Sequence, residues 1–141
     1  MIDCTDISEL IPHSGTMILL DKIIEFDERS LSAEIVVREN TLLSNSKEVP
    51  SWVGIEYMAQ AIAAFAGIQS KQAGKTINIG LLLGTRRYIS NIAAFDVGIV
   101  LTVKITKLIH DEKLGVFDCK IYGTGIEISA NLNVYQPFNE N

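Results

Sequence analysis

The fold of this protein is decided by one stretch of its sequence, PSWVGIEYMAQAIAAFAG, at residues 50–67. The pattern predicts a helix that is apolar on nearly every side, and such a helix belongs in the middle of a domain. Glu56 and Gln60 nevertheless lie in its first half. Because an unpaired carboxylate is costly to bury, we expect Glu56 to be paired, hydrogen-bonded or used in chemistry.

Four residues of this predicted helix, Glu56, Gln60, Ala63 and Gly67, fall on one side when they are spaced at 3.6 residues per turn. This stripe joins an acid and an amide to two residues too small to fill space, so it would line a narrow cavity with a carboxyl group at its mouth. A purely structural carboxylate, or one solvated at the surface, is an open alternative. The run is short for a membrane span and is interrupted by polar residues, which argues against a membrane helix.

Composition limits the class of protein. A chain of 141 residues is expected to form a single domain over residues 1–141. Its 48% hydrophobic and 21% charged residues predict a globular protein, and its net charge of −5 argues against a nucleic-acid partner. Cys4 and Cys119 show neither metal-ligand spacing nor disulfide density, and the N-terminus has no secretion signal. We therefore expect a cytoplasmic protein without a metal site.

Strand-like runs lie on both sides of the predicted helix. They cover residues 17–26 and 31–37 before it, and residues 76–90, 97–109, 116–122 and 126–135 after it. Ser51 is expected to cap the helix and Gly74 to end it. One long apolar helix and about six antiparallel strands, in the order ββ-α-ββββ, predict an α+β domain whose sheet curls around the helix. This is the hotdog arrangement.

Two motifs resemble the β-hydroxyacyl-(acyl-carrier-protein) dehydratases, which have that fold. LIPH at residues 10–13, followed by MILLDK at 17–22, resembles the opening motif of the family. GIEYMAQA at 54–61 resembles its helix motif, which implies that Glu56 is the catalytic carboxylate. Pro50, TRRY at 85–88 and FDVG at 95–98 resemble further family segments, so the likeness covers almost the whole chain.

One segment departs from the family pattern. The catalytic histidine of these dehydratases lies in a His-Phe-Pro-Gly loop directly before the helix, whereas residues 40–50 contain no histidine here. The chain most resembles a truncated-loop subgroup associated with aryl-polyene-type lipid synthesis, whose members occur beside a second dehydratase-like subunit that keeps the histidine. The resemblance therefore implies a homodimer, or a heterodimer with a second hotdog dehydratase.

The implied reaction is the dehydration of a 3-hydroxyacyl thioester, held on an acyl carrier protein, to the trans-2-enoyl form in fatty-acid or polyene-type lipid synthesis. It needs a base for the proton on C2 and an acid for the hydroxyl on C3. Glu56 is the expected acid; burial favours its neutral form, the helix N-terminus favours the carboxylate, and the sequence leaves the balance open. His13 is the candidate base, although its position equally suits a structural histidine, and His110 is expected to be solvated in a polar hairpin.

The substrate-binding residues are assigned to the helix and to one basic pair. Ser51 at the helix start and the stripe residues Gln60, Ala63 and Gly67 are expected to contact the acyl chain or thioester. Arg86 and Arg87 are expected to anchor the phosphate of the phosphopantetheine arm, which the substrate itself carries, so no cofactor is expected. A solvated pair at a strand end is the plainer alternative for these arginines.

Three functions are compatible with these residues. The chain would be a self-sufficient lyase, or a subunit that contributes half of the active site to a histidine-bearing dehydratase. An acyl thioesterase on the same fold is the third, less favoured because the Met-Ala-Gln context of the helix points to dehydratases. The fold alone does not decide between them.

Overall fold

The computed structural model describes residues 18–38, 48–72, 74, 81–111 and 114–135. His13 and the opening motif at residues 10–13 lie outside this part of the chain. Its elements, in chain order, are β1 (Lys22–Phe26), β2 (Ser30–Val36), β3 (Glu48–Pro50), a 3-10 turn (Ser51–Val53), α1 (Gly54–Gln72), β4 (Leu81–Ser90), β5 (Ala94–Asp96), β6 (Val100–Asp111), β7 (Leu114–Gly123) and β8 (Ile126–Tyr135).

Six of these strands form one antiparallel sheet in the order β1-β2-β6-β7-β8-β4, and β3 pairs with β5 in a separate two-stranded ladder. Alternate residues of the sheet, including Leu31, Val103 and Cys119, are fully buried. Eleven residues of α1 are buried as well, so the helix is the centre of the core. The predicted α+β hotdog fold, one long helix with an antiparallel sheet of about six strands, is confirmed.

Aromatic packing joins α1 to the sheet. Phe65 meets Phe117 edge to face, with ring centroids 6.0 Å apart. The ammonium group of Lys107 lies 5.6 Å from the centroid of the Phe65 ring. Burial, together with the charge of Arg29, lowers the pKa of Lys107. The side chain of Gln69 donates to the carbonyl of Glu28 at 3.2 Å, so the far end of β6 and the β1–β2 turn lie beside the C-terminal half of α1.

The C-terminal end of the helix is as predicted from the sequence, and the N-terminal end is not. Gly74 has a φ of +70° and its N–H donates to the carbonyl of Lys71 at 3.1 Å, the expected glycine-ended helix. Ser51 was wrongly predicted to cap the helix. It begins the 3-10 turn instead, no side-chain hydrogen bond caps that turn, and the α-helix starts at Gly54.

Three strand predictions also need correction. The predicted run at 17–26 starts later, at Lys22, and residues 18–21 belong to no strand. The predicted run at 97–109 starts later, at Val100, because Gly98, with a φ of +99°, makes a turn after the short strand β5. The hairpin predicted to begin at His110 also begins later, since His110 pairs with Gly115 as part of β6. These corrections concern where strands begin and end, while the number of strands in the main sheet is as predicted.

Candidate functional site

Glu56 lies in the first turn of α1 and is half-buried, whereas Gln60, one turn later, has an exposed fraction of 0%. The side-chain amide of Gln60 links this carboxylate to another part of the chain. Its Nε2 donates to Oε1 of Glu56 at 3.1 Å, and its Oε1 accepts the backbone N–H of Leu19 at 2.8 Å. The predicted polar pair on the helix is therefore a bonded unit.

The backbone N–H of Leu19 also decides which way the Gln60 amide points. Because an N–H group can only donate, it must face the amide oxygen, and the NH2 group is left to face Glu56. Oε1 of Glu56 consequently acts as an acceptor.

The rest of the predicted stripe continues along the helix. Gly67 is buried, and the half-buried Ala63 packs at the edge of the core. Together with Gln60 they form a line of small or fully buried residues leading away from Glu56. The use of this line as an acyl channel stays a prediction.

The start of α1 is fixed by Tyr88, a residue that the sequence analysis did not assign to the site. Its hydroxyl donates to the backbone carbonyl of Ser51. A Cβ atom on Gly54 would overlap that hydroxyl and lie 3.1 Å from Cδ1 of Ile121, which explains why glycine starts the helix. Burial, with a contribution from Tyr57, raises the pKa of Tyr88 to about 12, so the hydroxyl remains a donor at neutral pH.

A β-bulge in β4 directs Tyr88 towards that turn. Arg86 pairs with Asn131, the register then shifts, and pairing resumes at Ile89. Arg87 lies inside the bulge with a φ of +55°, a conformation uncommon for a residue with a side chain. As a result both arginines are exposed and Tyr88 turns inward, although simple alternation would put Arg86 and Tyr88 on the same face.

The model of the ApeP-like family, described as ApeP dehydratase, matches residues 5–141. The chain belongs to this family. One chain of the dehydratase heterocomplex ApeI:P from Xenorhabdus doucetiae is 32% identical to the ApeP-like chain, with a TM-score of 0.84 over 94% of this chain and 91% of that one. The predicted resemblance to aryl-polyene-type dehydratase subunits is confirmed, as is a dehydratase-like function.

More distant structures share only the fold of the ApeP-like chain. Cj0977, a sigma28-regulated virulence protein from Campylobacter jejuni, is 15% identical with a TM-score of 0.65, over 94% of this chain and 88% of that one. A hypothetical thioesterase with coenzyme A from Streptococcus pneumoniae is 13% identical with a TM-score of 0.64, over 84% of this chain and 87% of that one. No match was found among the curated proteins.

Two further features of the ApeP-like chain bear on the site. In the described ranges, no group of three or more His, Cys, Asp or Glu side chains is arranged to hold a metal ion. Over the same residues, no helix has the length and apolar character needed to cross a bilayer. A shallow concavity over β7 and β8 is lined by Lys120, Tyr122, Glu127 and neighbouring residues, and none of the predicted site residues belongs to it.

Proposed function

We propose that this ApeP-like chain is a subunit of a 3-hydroxyacyl-(acyl-carrier-protein) dehydratase, and that a histidine-bearing hotdog partner completes its active site. The observation that carries the proposal is the carboxyl group of Glu56, held at the start of α1 by a fully buried amide. A carboxyl group positioned by a fixed donor is suited to proton transfer.

The proposed reaction removes water from the 3-hydroxyacyl thioester. The base takes the proton from C2, the electron pair of the broken C2–H bond forms the C2–C3 double bond, and the C3–O bond breaks with its electron pair left on oxygen. Glu56 gives its proton to the departing hydroxyl, which leaves as water. The carboxylate that remains on Glu56 is stabilised by the NH2 group of Gln60, and backbone N–H groups at the start of α1 polarise the thioester carbonyl.

The base is the part of the site that the partner supplies in this proposal. The chain has two histidines, His13 and His110. The backbone of His110 lies near the end of β6, beyond Lys107, which packs on Phe65 in the C-terminal half of α1 and therefore away from Glu56. His13 as a base from within the chain stays a prediction.

The exposed edge of the main sheet is the proposed surface for the partner. β4 is an edge strand of ten residues, and among the strands that the structure describes it pairs with β8 alone. The other edge strand, β1, is half that length and charged. Ile89 on β4 is 64% exposed and Trp52 in the turn before α1 is 57% exposed. The bond from Tyr88 to the carbonyl of Ser51 puts these two apolar side chains at the same end of the molecule as Glu56. A relative already assembles as a heterocomplex.

Reconstitution tests this proposal. We expect the chain alone to be inactive, and an equimolar mixture with a hotdog dehydratase subunit that carries the loop histidine to dehydrate 3-hydroxyacyl-carrier protein. Enoyl formation is followed by mass spectrometry of the acyl chain, and assembly by sedimentation. A Trp52→Ser, Ile89→Ser double variant should assemble less tightly than wild type. Full activity of a stable monomer would contradict the subunit proposal, and an inactive assembly would contradict the dehydratase reaction.

The acyl carrier protein is the proposed partner of Arg86 and Arg87. The bulge exposes both side chains. Tyr88, the next residue along β4, contacts the turn leading into α1. The backbone of Arg86 and Arg87 therefore lies near the end of the helix that holds Glu56, where the proposed acyl-phosphopantetheine arm would arrive. Arginine suits both a phosphate and the acidic surface of a carrier protein. A cytoplasmic location is part of this proposal.

Replacing Arg86 and Arg87 with alanine is expected to weaken carrier-protein binding by about tenfold or more, because the loss of even one hydrogen bond to a charged group costs about 1.5–3 kcal/mol. The loss should shrink as salt is added. The matched control is Lys104→Ala with Lys120→Ala, an exposed cross-strand pair whose removal changes the net charge equally. Binding is measured by fluorescence anisotropy. If the two double variants weakened binding equally, Arg86 and Arg87 would act only through the net charge of the protein and not as a specific anchor.

A further inference from the structure

The segment of residues 18–21 lies directly before β1 and belongs to no helix or strand. Leu19 is the point where it meets the site, because its N–H holds the oxygen of Gln60 at 2.8 Å. The segment is therefore linked to the amide, and through the amide to the Glu56 carboxyl group.

Asp21 and Arg38 fasten the other side of the segment. The guanidinium of Arg38 forms an ion pair with Oδ1 of Asp21. Its Nη2 donates to the carbonyls of Ile18, at 3.1 Å, and of Leu19, at 3.5 Å. Oδ2 of Asp21 in turn accepts the backbone N–H of Val36 at 2.6 Å.

These contacts join the segment to the sheet. The N–H of Asp21 donates to the carbonyl of Glu34 at 2.8 Å, which extends the β1–β2 ladder by one residue. Beyond β2, the N–H of Val37 donates to the carbonyl of Ile99 at 2.9 Å and thereby extends the pairing of β2 with β6. Arg38 follows directly, so its backbone is held by the sheet. Its guanidinium group contacts the backbone carbonyls of Ile18 and Leu19.

Tyr57 follows Glu56 in α1 and is buried. Its ring packs on Phe95, with centroids 5.7 Å apart. Burial raises the pKa of Tyr57 to about 12, while the charge of Arg38 lowers this pKa and the charge of Asp21 raises it.

The side chains of Arg38 and Asp21 are 48% and 28% exposed. Ion pairs with that much contact with water contribute little to stability. A planar guanidinium that bridges a carboxylate and two carbonyls nevertheless fixes geometry, because each donor direction is set by the same rigid group. We propose that Asp21 and Arg38 are positioning residues that hold Leu19, and through Gln60 the carboxyl group of Glu56, in its reactive orientation.

This proposal rests on the proposed dehydratase function, so its test uses the reconstituted assembly. Arg38→Gln is expected to lower kcat about tenfold with KM unchanged, and to change the melting temperature by no more than about 3 °C. Arg38→Lys keeps the positive charge but lacks the planar guanidinium with its several fixed donors, so this variant should not restore the wild-type kcat. Lys22→Gln, which breaks the neighbouring Lys22–Glu34 ion pair, is the matched control and should leave kcat unchanged.

Two further measurements separate positioning from general stability. In a Glu56→Gln background, Arg38→Gln should cause no additional loss, because its effect passes through that carboxyl group. Hydrogen exchange should be faster at the backbone N–H of Leu19 in Arg38→Gln than in wild type. An unchanged kcat in Arg38→Gln, beside a strong effect of Glu56→Gln, would overturn the positioning role of Arg38 and keep the proposed function. If the wild-type assembly is inactive, unchanged hydrogen exchange at Leu19 still overturns that positioning role.

Discussion

Glu56→Gln is expected to lower the kcat of the reconstituted dehydratase by about 10²–10⁴-fold, the contribution of one general acid. The amide has nearly the same shape as the carboxyl group but cannot give up a proton to the C3 hydroxyl. The carbonyl oxygen of this amide can still accept a hydrogen bond from the NH2 group of Gln60, so the bond that holds the side chain at position 56 is preserved. The measurement is the steady-state rate at saturating 3-hydroxyacyl-carrier protein, with assembly checked by sedimentation.

The matched control for this variant is Glu25→Gln, which neutralises an exposed carboxylate on the edge strand β1. It should leave kcat within about twofold of wild type, because surface charges of this kind have small effects. If Glu56→Gln were as active as this control, Glu56 would be a structural carboxylate, and the proposed reaction would lose its acid.

Gln60→Leu is expected to destabilise the protein by about 2–4 kcal/mol. The leucine fills nearly the same volume but leaves the N–H of Leu19 without its acceptor, which costs about 1–3 kcal/mol, and it removes the donor to Glu56. For a chain of this length the melting temperature should fall by roughly 6–12 °C. The measurement is thermal unfolding by circular dichroism at a fixed protein concentration, because assembly shifts apparent stability.

Gln69→Leu is the matched control in the same helix. The amide of Gln69 donates to the carbonyl of Glu28 at 3.2 Å in an exposed position, where water replaces the lost bond. This variant should change stability by no more than about 0.5 kcal/mol. Similar melting temperatures for the two leucine variants would show that the bond between Leu19 and Gln60 contributes little.

The architecture could be read from local pattern. The apolar run at residues 50–67 predicts a central helix wherever it is placed, because a helix that is apolar on nearly every side has to be covered. Alternation in the later strands has the same local basis, and β8 was predicted with the correct ends. Glu56 and Gln60 were found because they are polar exceptions in that run, four residues apart.

The surroundings of Glu56 could not be read in this way. A bulge has no reliable local signature, so the inward turn of Tyr88 and the exposure of both arginines depended on the pairing of β4 with β8. The start of the α-helix at Gly54 was likewise set by a side chain from β4 that occupies the space of a Cβ atom. Ser51 therefore looked like a cap in the sequence but serves through its carbonyl.

The sequence by itself determined a central helix, a sheet of about six strands around it and the carboxyl group that the helix carries, since each follows from the period of neighbouring residues. Only the tertiary structure decided what holds that carboxyl group. Leu19 and Gln60 are 41 positions apart, Tyr88 and Ser51 are 37 apart, and Asp21 and Arg38 are 17 apart. The first two contacts exist only once the sheet has closed on the helix, and the third only once β1 has paired with β2, because no local spacing encodes which distant side chains will meet.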